Sequence, residues 1–318
     1  MNQKYCLVVN PAAGQGRSAR LLPAVLGPLA AAGASVRVRE SASLAHAATV
    51  AAEAVGEGEA VVAVGGDGTV GRLAAAVADA DGVLGIIPAG RGNDFARMLG
   101  IPAQPTRAAS VLVTGLRRTV DLIGVRAGDG PELVVAGSVY LGILSEGAEM
   151  VRSSRLALGG LGYQLAGLRA LRAWQRATFA VDLGTGARPD GRFAGFTVLV
   201  ANSAFLAGGK RGAPAADAAD GLLDVISVRE GPKPGRRGGV RKLPFVRVML
   251  MARRGTHVRL VQVGAAQAAS VTVTADRAMP AGADGETLPF ASPLAPGCPL
   301  RIRALPGALR VITPERDA

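Results

Sequence analysis

Strand-like and helix-like patterns alternate over the first part of the chain. Strand patterns lie at residues 5–9, 35–39, 60–64 and 83–87, and alanine-rich helical patterns such as residues 43–55 separate them. The run at residues 60–64 is apolar without a break, which is typical of a strand buried on both faces of a parallel sheet. This order predicts an α/β domain whose ligands bind at the carboxyl ends of the strands.

The pattern changes after residue 125. Short apolar runs at residues 133–136, 179–183, 196–201, 223–228 and 271–274 are separated by Gly, Pro and Asp. That spacing is typical of a mostly antiparallel β domain. A chain of 318 residues is also long for a single core, so we predict two domains.

The composition limits the partners and the compartment. The net charge is +12, and only 3% of the residues are aromatic. The positive surplus indicates an anionic partner, while the scarcity of aromatic stacking positions argues against nucleic acid. Two cysteines are too few for a disulfide framework, which favours a reducing cytoplasm. Neither a signal peptide nor a membrane-spanning run is apparent, so we expect any membrane contact to be peripheral.

A glycine-rich turn follows the apolar run at residues 60–64. Gly65, Gly66 and Gly68 lack the Cβ atoms that would keep a ligand from the backbone, and a helix is predicted to begin near Thr69. Unpaired N–H groups at a helix start bind anions, and the carboxylate of Asp67 favours a phosphate accompanied by Mg²⁺. The alternative is a tight Asp-Gly turn without a ligand.

Two further loops follow predicted strands, at residues 10–14 and 88–94, and converge on the same edge. Residues 14–19 also fit a dinucleotide-binding fingerprint. In that fold, however, the first glycine follows the strand directly, whereas residues 10–13 intervene here. We therefore interpret the first loop as a cover for phosphates, with Arg17 and Arg20 at its end.

Six motifs carry a family resemblance: NPAAG, GGDGTV, PAGRGNDFARMLGIP, VDLIGV, APAADAADGLLDVISV and ADGETLP. Together they resemble the catalytic domain of the diacylglycerol kinase and sphingosine kinase superfamily, and most closely its bacterial soluble lipid kinases. The NAD kinases share only the GGDGT element and a related fold. The resemblance implies ATP-dependent phosphorylation of a lipid hydroxyl, with the conversion of diacylglycerol to phosphatidic acid expected first.

The same resemblance implies a division of the chain. Residues 1–125 and 305–318 match a three-layer α/β nucleotide-binding domain with a parallel sheet, to which the chain returns with a final strand at residues 309–312. Residues 126–304 match a mostly antiparallel β-sandwich on the lipid side. The active site is expected in the cleft between the two domains.

The resemblance also implies ATP and Mg²⁺ as cofactors and roles for individual residues. Asp284 and Glu286 match the segment that carries the catalytic base, although the two acids alone would also fit a surface Asp-Gly turn. Asp217, Asp220 and Leu222 match a structural metal site that uses some backbone carbonyls. The residues implied in nucleotide binding are Asn10, Pro11, Ala12, Ala13, Gly14, Ser41, Gly65, Gly66, Asp67, Gly68, Thr69, Val70, Gly71, Arg91, Asn93 and Asp94.

The chain departs from the family pattern at three positions. Gly71 and Arg72 follow Val70, where the family usually has Asn and Glu, and Arg91 replaces a usual Thr.

Asp121 matches a further acid of the metal and nucleotide network. An NAD kinase-like soluble kinase and a catalytically silent nucleotide-binding regulator remain the alternatives.

A basic segment predicts the membrane partner. Residues 233–259 carry nine Lys or Arg and no acidic residue, which favours docking on an anionic membrane next to a lipid substrate. The apolar side chains between these charges either insert shallowly or belong to the core of the second domain; they are Leu243, Phe245, Val246, Met249, Leu250 and Met251. We expect a cytoplasmic, peripherally membrane-associated enzyme, and a homodimer is compatible with the sequence.

Overall fold

A computed structural model describes residues 3–11, 16–153, 169–184, 191–231, 242–289 and 293–315. These residues form an α/β domain with a parallel sheet and a second, mostly antiparallel β domain. The predicted fold class is therefore confirmed. Two separate hydrophobic cores hold the domains, one in each.

The first domain is a three-layer structure. Its sheet has the strand order β2-β1-β3-β4, all parallel. Helix α1 packs against α5, and α2 packs against α3, so that helices cover both faces. The elements are β1 (Lys4–Val9), α1 (Arg17–Ala31), β2 (Ser35–Glu40), α2 (Leu44–Gly56), β3 (Ala60–Gly65), α3 (Asp67–Asp79), β4 (Val83–Pro88), α4 (Asp94–Met98) and α5 (Pro105–Thr114).

Local sequence explains the central part of this domain. Val61, Val62 and Val64 of β3 are fully buried, because the strand lies between β1 and β4 and helices cover both of its faces. Helix α3 begins at Asp67, earlier than the predicted start near Thr69. The residue before it, Gly66, is extended and serves as the N-cap.

The second domain is built mainly from antiparallel strand pairs. The elements from residue 116 onward are β5 (Leu116–Ala127), β6 (Leu133–Val135), β7 (Ser138–Gly142), α6 (Ile143–Ser153), β8 (Ala177–Asp182), β9 (Gly191–Ala201), β10 (Phe205–Leu206), β11 (Lys210–Arg211), β12 (Leu223–Arg229), α7 (Leu243–Met251), a 3₁₀ turn (Thr256–Arg259), β13 (Val263–Ala268), β14 (Ser270–Ala275), β15 (Ala281–Ala283), β16 (Glu286–Thr287) and β17 (Leu300–Thr313).

Two long strands join the domains. β5 and β17 pair antiparallel over nearly their whole length, and the end of β17 also pairs with β4 in parallel. The predicted final strand at residues 309–312 lies within β17, but β17 begins earlier, at Leu300. Pro306 and Gly307 resemble a turn in sequence, yet they lie at a register shift inside the strand. The predicted change of domain at residue 305 falls at this shift.

Candidate active site

Three loops emerge side by side at one edge of the first sheet. β3 lies between β1 and β4 in parallel register, so the residues that follow Val9, Gly65 and Pro88 are neighbours. Two of the loops touch, because a Cβ atom on Gly90 would lie only 2.5 Å from Cα of Gly66. Only glycine permits that approach. This edge is where open α/β sheets bind their ligands.

Asp67 fixes the loop that follows β4. Its two carboxylate oxygens accept hydrogen bonds from the N–H groups of Asn93, at 2.8 Å, and Asp94, at 2.6 Å. Asn93 has a left-handed φ of 50° and closes the loop through two hydrogen bonds between its side-chain amide and the backbone of Gly90. Burial raises the pKa of Asp67, and the charge of Asp94 adds to that rise. The acid therefore holds two loops of the candidate nucleotide site together.

Asp94 connects the first domain to the second. Its carboxylate accepts hydrogen bonds from the N–H groups of Gly208, at 3.0 Å, and Gly209, at 2.6 Å, in the turn between β10 and β11. Arg97 lies 5.7 Å from the ring centroid of Phe205 in the same hairpin. Helix α4, which begins at Asp94, is thereby clamped to the hairpin of the second domain.

Asp284 lies in a strained turn between β15 and β16. Its φ is 47°, and that of Gly285 is 90°. The Asp284 carboxylate accepts hydrogen bonds from three consecutive N–H groups, those of Ala136 (3.0 Å), Gly137 (3.0 Å) and Ser138 (2.8 Å). Burial raises the pKa of Asp284 to about 6, although these hydrogen bonds oppose the rise. A carboxyl with this pKa is still ionised at neutral pH, and both of its oxygens then accept hydrogen bonds from the N–H groups of residues 136–138.

Glu286 reaches the glycine-rich turn of the first domain. Its exposed side chain places Oε1 so close to Gly68 that a Cβ atom there would clash with it. A Cβ atom on Gly71 would in turn lie 3.3 Å from Oδ2 of Asp284. The structure therefore brings the two predicted catalytic acids against the first turns of α3, in the cleft between the domains.

Other predicted nucleotide residues lie around the same edge. The buried residue Ser41 donates its N–H to the carbonyl of Val9 at 2.8 Å, which joins the ends of β2 and β1. Thr69 and Val70 are buried, so these positions offer backbone rather than side chains. Arg91 is exposed and has no hydrogen bond or ion pair with any described residue. Asn10 and Pro11 follow β1, whereas Ala12, Ala13 and Gly14 lie outside the described residues.

The predicted metal residues lie in the loop before β12. The exposed Asp220 uses Oδ1 to accept the N–H of Leu222 at 2.9 Å, and Asp217 is partly buried. Burial raises the pKa of the neighbouring Asp224, whose Oδ2 accepts a hydrogen bond from Gln267. Within the described part of the chain, no three His, Cys, Asp or Glu side chains form a metal cluster. The predicted set differs from such a cluster, because it contains two acids and a backbone carbonyl.

Asp121 ties the metal-site loop to β17. It is buried on β5, and its carboxylate accepts the N–H groups of Gly221 and Gly307, both at 2.7 Å. Its own N–H donates to the carbonyl of Ala218 at 2.6 Å. The Asp121 carboxylate therefore links the loop before β12 to β17 through hydrogen bonds with two backbone amides.

The basic segment divides between core and surface. Phe245 and Val248 of α7 belong to the second core, and Met249 packs against it, so for Phe245 and Met249 the alternative of a place in the core holds. An amphipathic helix buries one stripe, which takes Phe245 and Met249 out of solvent. Leu243 and Leu250 are 77% and 63% exposed. Residues 232–241 lie outside the described residues.

Sequence reasoning missed three contributors to the site. The amides of residues 136–138 hold Asp284, the hydroxyl of Tyr140 accepts the N–H of Gly285 at 3.1 Å, and the turn at Gly208 and Gly209 holds Asp94. The adjacent glycines Gly208 and Gly209 indicated a tight turn in the sequence. Their hydrogen-bond acceptor, Asp94, lies more than a hundred residues away and could not be predicted. Across the described ranges, no helix is long and apolar enough to cross a membrane.

Two family descriptions match the chain. The diacylglycerol kinase catalytic domain matches residues 4–125, and the YegS C-terminal NAD kinase beta sandwich-like domain matches residues 137–313. The chain is 30% identical over 321 residues to the diacylglycerol kinase of Mycobacterium tuberculosis strain H37Rv, with 98% of this chain and 96% of that protein covered. It is 29% identical over 286 residues to the diacylglycerol kinase of Bacillus subtilis strain 168, with 88% of each covered.

Solved structures agree in fold. The crystal structure of a diacylglycerol kinase from Bacillus anthracis str. Sterne has a TM-score of 0.68 at 20% identity, covering 98% of this chain and 97% of that one. A second crystal structure from the same organism reaches a TM-score of 0.75 at 23% identity. Identities this low show the fold alone.

Proposed function

This chain belongs to the diacylglycerol kinase family of lipid kinases, and from that premise we propose that its acceptor is diacylglycerol, which it converts to phosphatidic acid. The predicted family and the predicted activity, a phosphotransferase with an alcohol acceptor, are both confirmed. The relatives from M. tuberculosis and B. subtilis are diacylglycerol kinases, and we propose the same acceptor for this chain.

The contact between Gly68 and Glu286 carries the proposal. Phosphoryl transfer requires N–H groups around the phosphates and a base beside the acceptor hydroxyl. The glycine-rich turn belongs to the first domain and Glu286 to the second, yet the carboxylate lies directly over the first turn of α3. A phosphate held at that turn therefore lies next to the carboxylate that would receive the acceptor's proton.

Glu286 is the better candidate for the base. The oxygens of Asp284 already accept three N–H groups, which leaves little lone-pair capacity for a substrate hydroxyl. Glu286 is exposed, and its carboxylate has no hydrogen bond with any described residue. We assign Asp284 the role of holding the turn, and Glu286 the role of taking the proton from the acceptor hydroxyl.

The start of α3 supplies backbone donors to the nucleotide site. Asp67 accepts the N–H groups of Asn93 and Asp94 and thereby holds the loop before α4 against this helix start. The helix start favours negative charge. Asn10 and Ser41 border this edge, and the unpaired Arg91 is available to phosphate oxygens.

Mg²⁺ fits the chemistry of this site. A hard cation takes carboxylate, carbonyl, water and phosphate oxygens, and ATP supplies the phosphates. Asp67 and Asp94 each use their oxygens for two backbone amides, so they would reach the ion through remaining lone pairs or through water. Asp217, Asp220 and the carbonyl of Leu222 offer an oxygen set of the same class for a structural ion. Bound at the phosphates, Mg²⁺ would neutralise charge during transfer.

Transfer of labelled phosphate to defined lipids tests the proposal. The protein is incubated with [γ-³²P]ATP, Mg²⁺ and mixed vesicles that contain diacylglycerol, a sphingoid base or phosphatidylglycerol, and NAD is supplied as a soluble acceptor. Labelled phosphatidic acid is the expected product, and Glu286→Gln is the matched control. Label in another lipid alone would refute diacylglycerol as acceptor, and label in NAD alone would favour the NAD kinase-like alternative.

A further inference from the structure

Arg72 lies on the face of α3 that meets the catalytic turn. Gly68 and Gly71 are the positions on this helix where an added Cβ would approach Glu286 and Asp284. Residues four apart share a helix face, so Arg72, four residues after Gly68, lies on the face of α3 that meets Glu286. Helical side chains lean toward the helix N-terminus. An arginine at this position therefore has the glycine-rich turn within the reach of its side chain.

The guanidinium of Arg72 is unused within the described part of the chain. Arg72 is exposed, and its guanidinium has no hydrogen bond or ion pair with any described residue. Two other arginines show what a close carboxylate partner does: Arg303 binds Glu132 through two hydrogen bonds at 2.9 and 2.6 Å, and Arg277 binds Glu146 at 2.7 Å. Arg72 keeps five N–H donors in a planar fork that matches the oxygens of a phosphate.

We propose that Arg72 binds the terminal phosphate of the nucleotide and thereby distinguishes ATP from ADP. This inference rests on the proposed function of the Gly68–Glu286 contact. In a transfer to a hydroxyl beside Glu286, the phosphate closest to that carboxylate is the γ-phosphate, because it lies between the donor and the acceptor. The α- and β-phosphates lie farther from the acceptor side, toward the loops after β1 and β4.

Charge in the cleft supports this assignment. Asp67, Asp94 and Asp284 bring three carboxyl groups to the site, and Glu286 adds a fourth. A γ-phosphate that approaches these acids is repelled unless cations accompany it. Arg72 supplies a fixed positive charge on the acceptor side, where negative charge develops on the transferred group.

Nucleotide binding without acceptor lipid tests the proposal. Affinities for ATP and ADP are measured by competition against a fluorescent nucleotide, at matched Mg²⁺ and ionic strength, for wild type, Arg72→Gln and Arg72→Lys. Arg107→Gln is the matched control, because Arg107 is an exposed arginine on α5, on the opposite face of the sheet, and has no partner among the described residues. Melting temperatures establish that each variant is folded.

The ratio of the ATP affinity to the ADP affinity shows whether Arg72 binds the terminal phosphate. A hydrogen bond to a charged group contributes about 1.5–3 kcal/mol, which is roughly a 10- to 100-fold effect. Arg72→Gln should lower the preference for ATP over ADP by about that factor, Arg72→Lys should lower it less, and Arg107→Gln should leave it unchanged. An unchanged ratio in Arg72→Gln overturns the proposal.

This readout separates the two proposals. A wild-type protein that labels no lipid would contradict the proposed acceptor, whereas the ATP-to-ADP ratio requires no acceptor. Retained nucleotide discrimination in Arg72→Gln contradicts the role of Arg72 even if the lipid assay succeeds.

Discussion

Replacing Asp284 by Asn should change how stability depends on pH. Burial raises the pKa of Asp284 from 3.8 to about 6 in the folded protein. The shift is about 2 units, or roughly 3 kcal/mol at about 1.36 kcal/mol per unit. Because the folded pKa is raised, the protonated form is favoured by folding. That stability is fully present below pH 3.8 and is lost as the pH rises through about 6.

Asn is the appropriate replacement at this position. It tolerates the left-handed φ of 47°, whereas Ala does not adopt it readily. Its side-chain NH₂ would, however, face N–H donors of residues 136–138, which leaves a buried donor unsatisfied at a cost of about 1–3 kcal/mol. That cost is independent of pH between pH 4.5 and 8, because the amide does not titrate.

The difference between the two proteins isolates the carboxyl group. Free energies of unfolding are measured by urea denaturation at several pH values for wild type and Asp284→Asn. From pH 4.5 to pH 8, wild type should lose about 2 kcal/mol relative to the variant, as linkage predicts for the pKa shift. Asp284→Ala, which leaves all three N–H groups without an acceptor, should be less stable than Asp284→Asn throughout. A difference between wild type and Asp284→Asn that stays constant over this pH range would refute the raised pKa.

Further predictions concern the same cleft and its surroundings. Glu286→Gln should lower kcat by about 10²- to 10⁴-fold in single-turnover assays while the ATP affinity stays unchanged; normal turnover would place the base elsewhere. Asp67→Ala removes the acceptor for two N–H groups of the next loop, so urea denaturation should show a loss of about 1–2 kcal/mol, together with loss of activity. Asp220→Ala should lower the Tm in Mg²⁺ and remove its dependence on Mg²⁺, and an unaltered Tm would contradict the structural ion. Vesicle binding should weaken as salt rises above about 0.15 M if exposed charges drive it, and salt-independent binding to neutral vesicles would indicate insertion of Leu243 and Leu250 instead.

Local patterns in the sequence were sufficient for most of the fold. The predicted strands at residues 5–9, 60–64 and 83–87 fall within β1, β3 and β4, because strands buried on both faces require uninterrupted apolar runs. The end of the chain was harder to predict. β17 alternates apolar and charged residues from Leu300 to Ala304 and contains Pro306 and Gly307, so only its last apolar residues had the signal of a buried strand.

The sequence alone also could not predict which side chains of α7 lie in the core and which lie at the surface. Phe245 and Leu250 both occur in a basic, apolar helix, yet the first is buried and the second is exposed. Which stripe of an amphipathic helix meets the core depends on the neighbouring strands. Those strands are distant in sequence, so hydrophobicity alone could not separate the two residues.

Four aspartates of the sequence motifs accept hydrogen bonds from backbone amides, which no sequence pattern predicts. Asp67 binds the amides of residues 93 and 94, Asp94 those of Gly208 and Gly209, Asp121 those of Gly221 and Gly307, and Asp284 those of residues 136–138. Each carboxylate joins two segments that are far apart in the chain, and three of the four meet at the cleft. A carboxylate that accepts several N–H groups gains strong, charge-assisted hydrogen bonds, so these acids stabilise the loops whatever else they bind. Loss of activity after substitution of Asp94 would therefore not identify it as a metal ligand. Only a variant that keeps the hairpin of β10 and β11 in place while ATP or Mg²⁺ binding changes would separate the two roles.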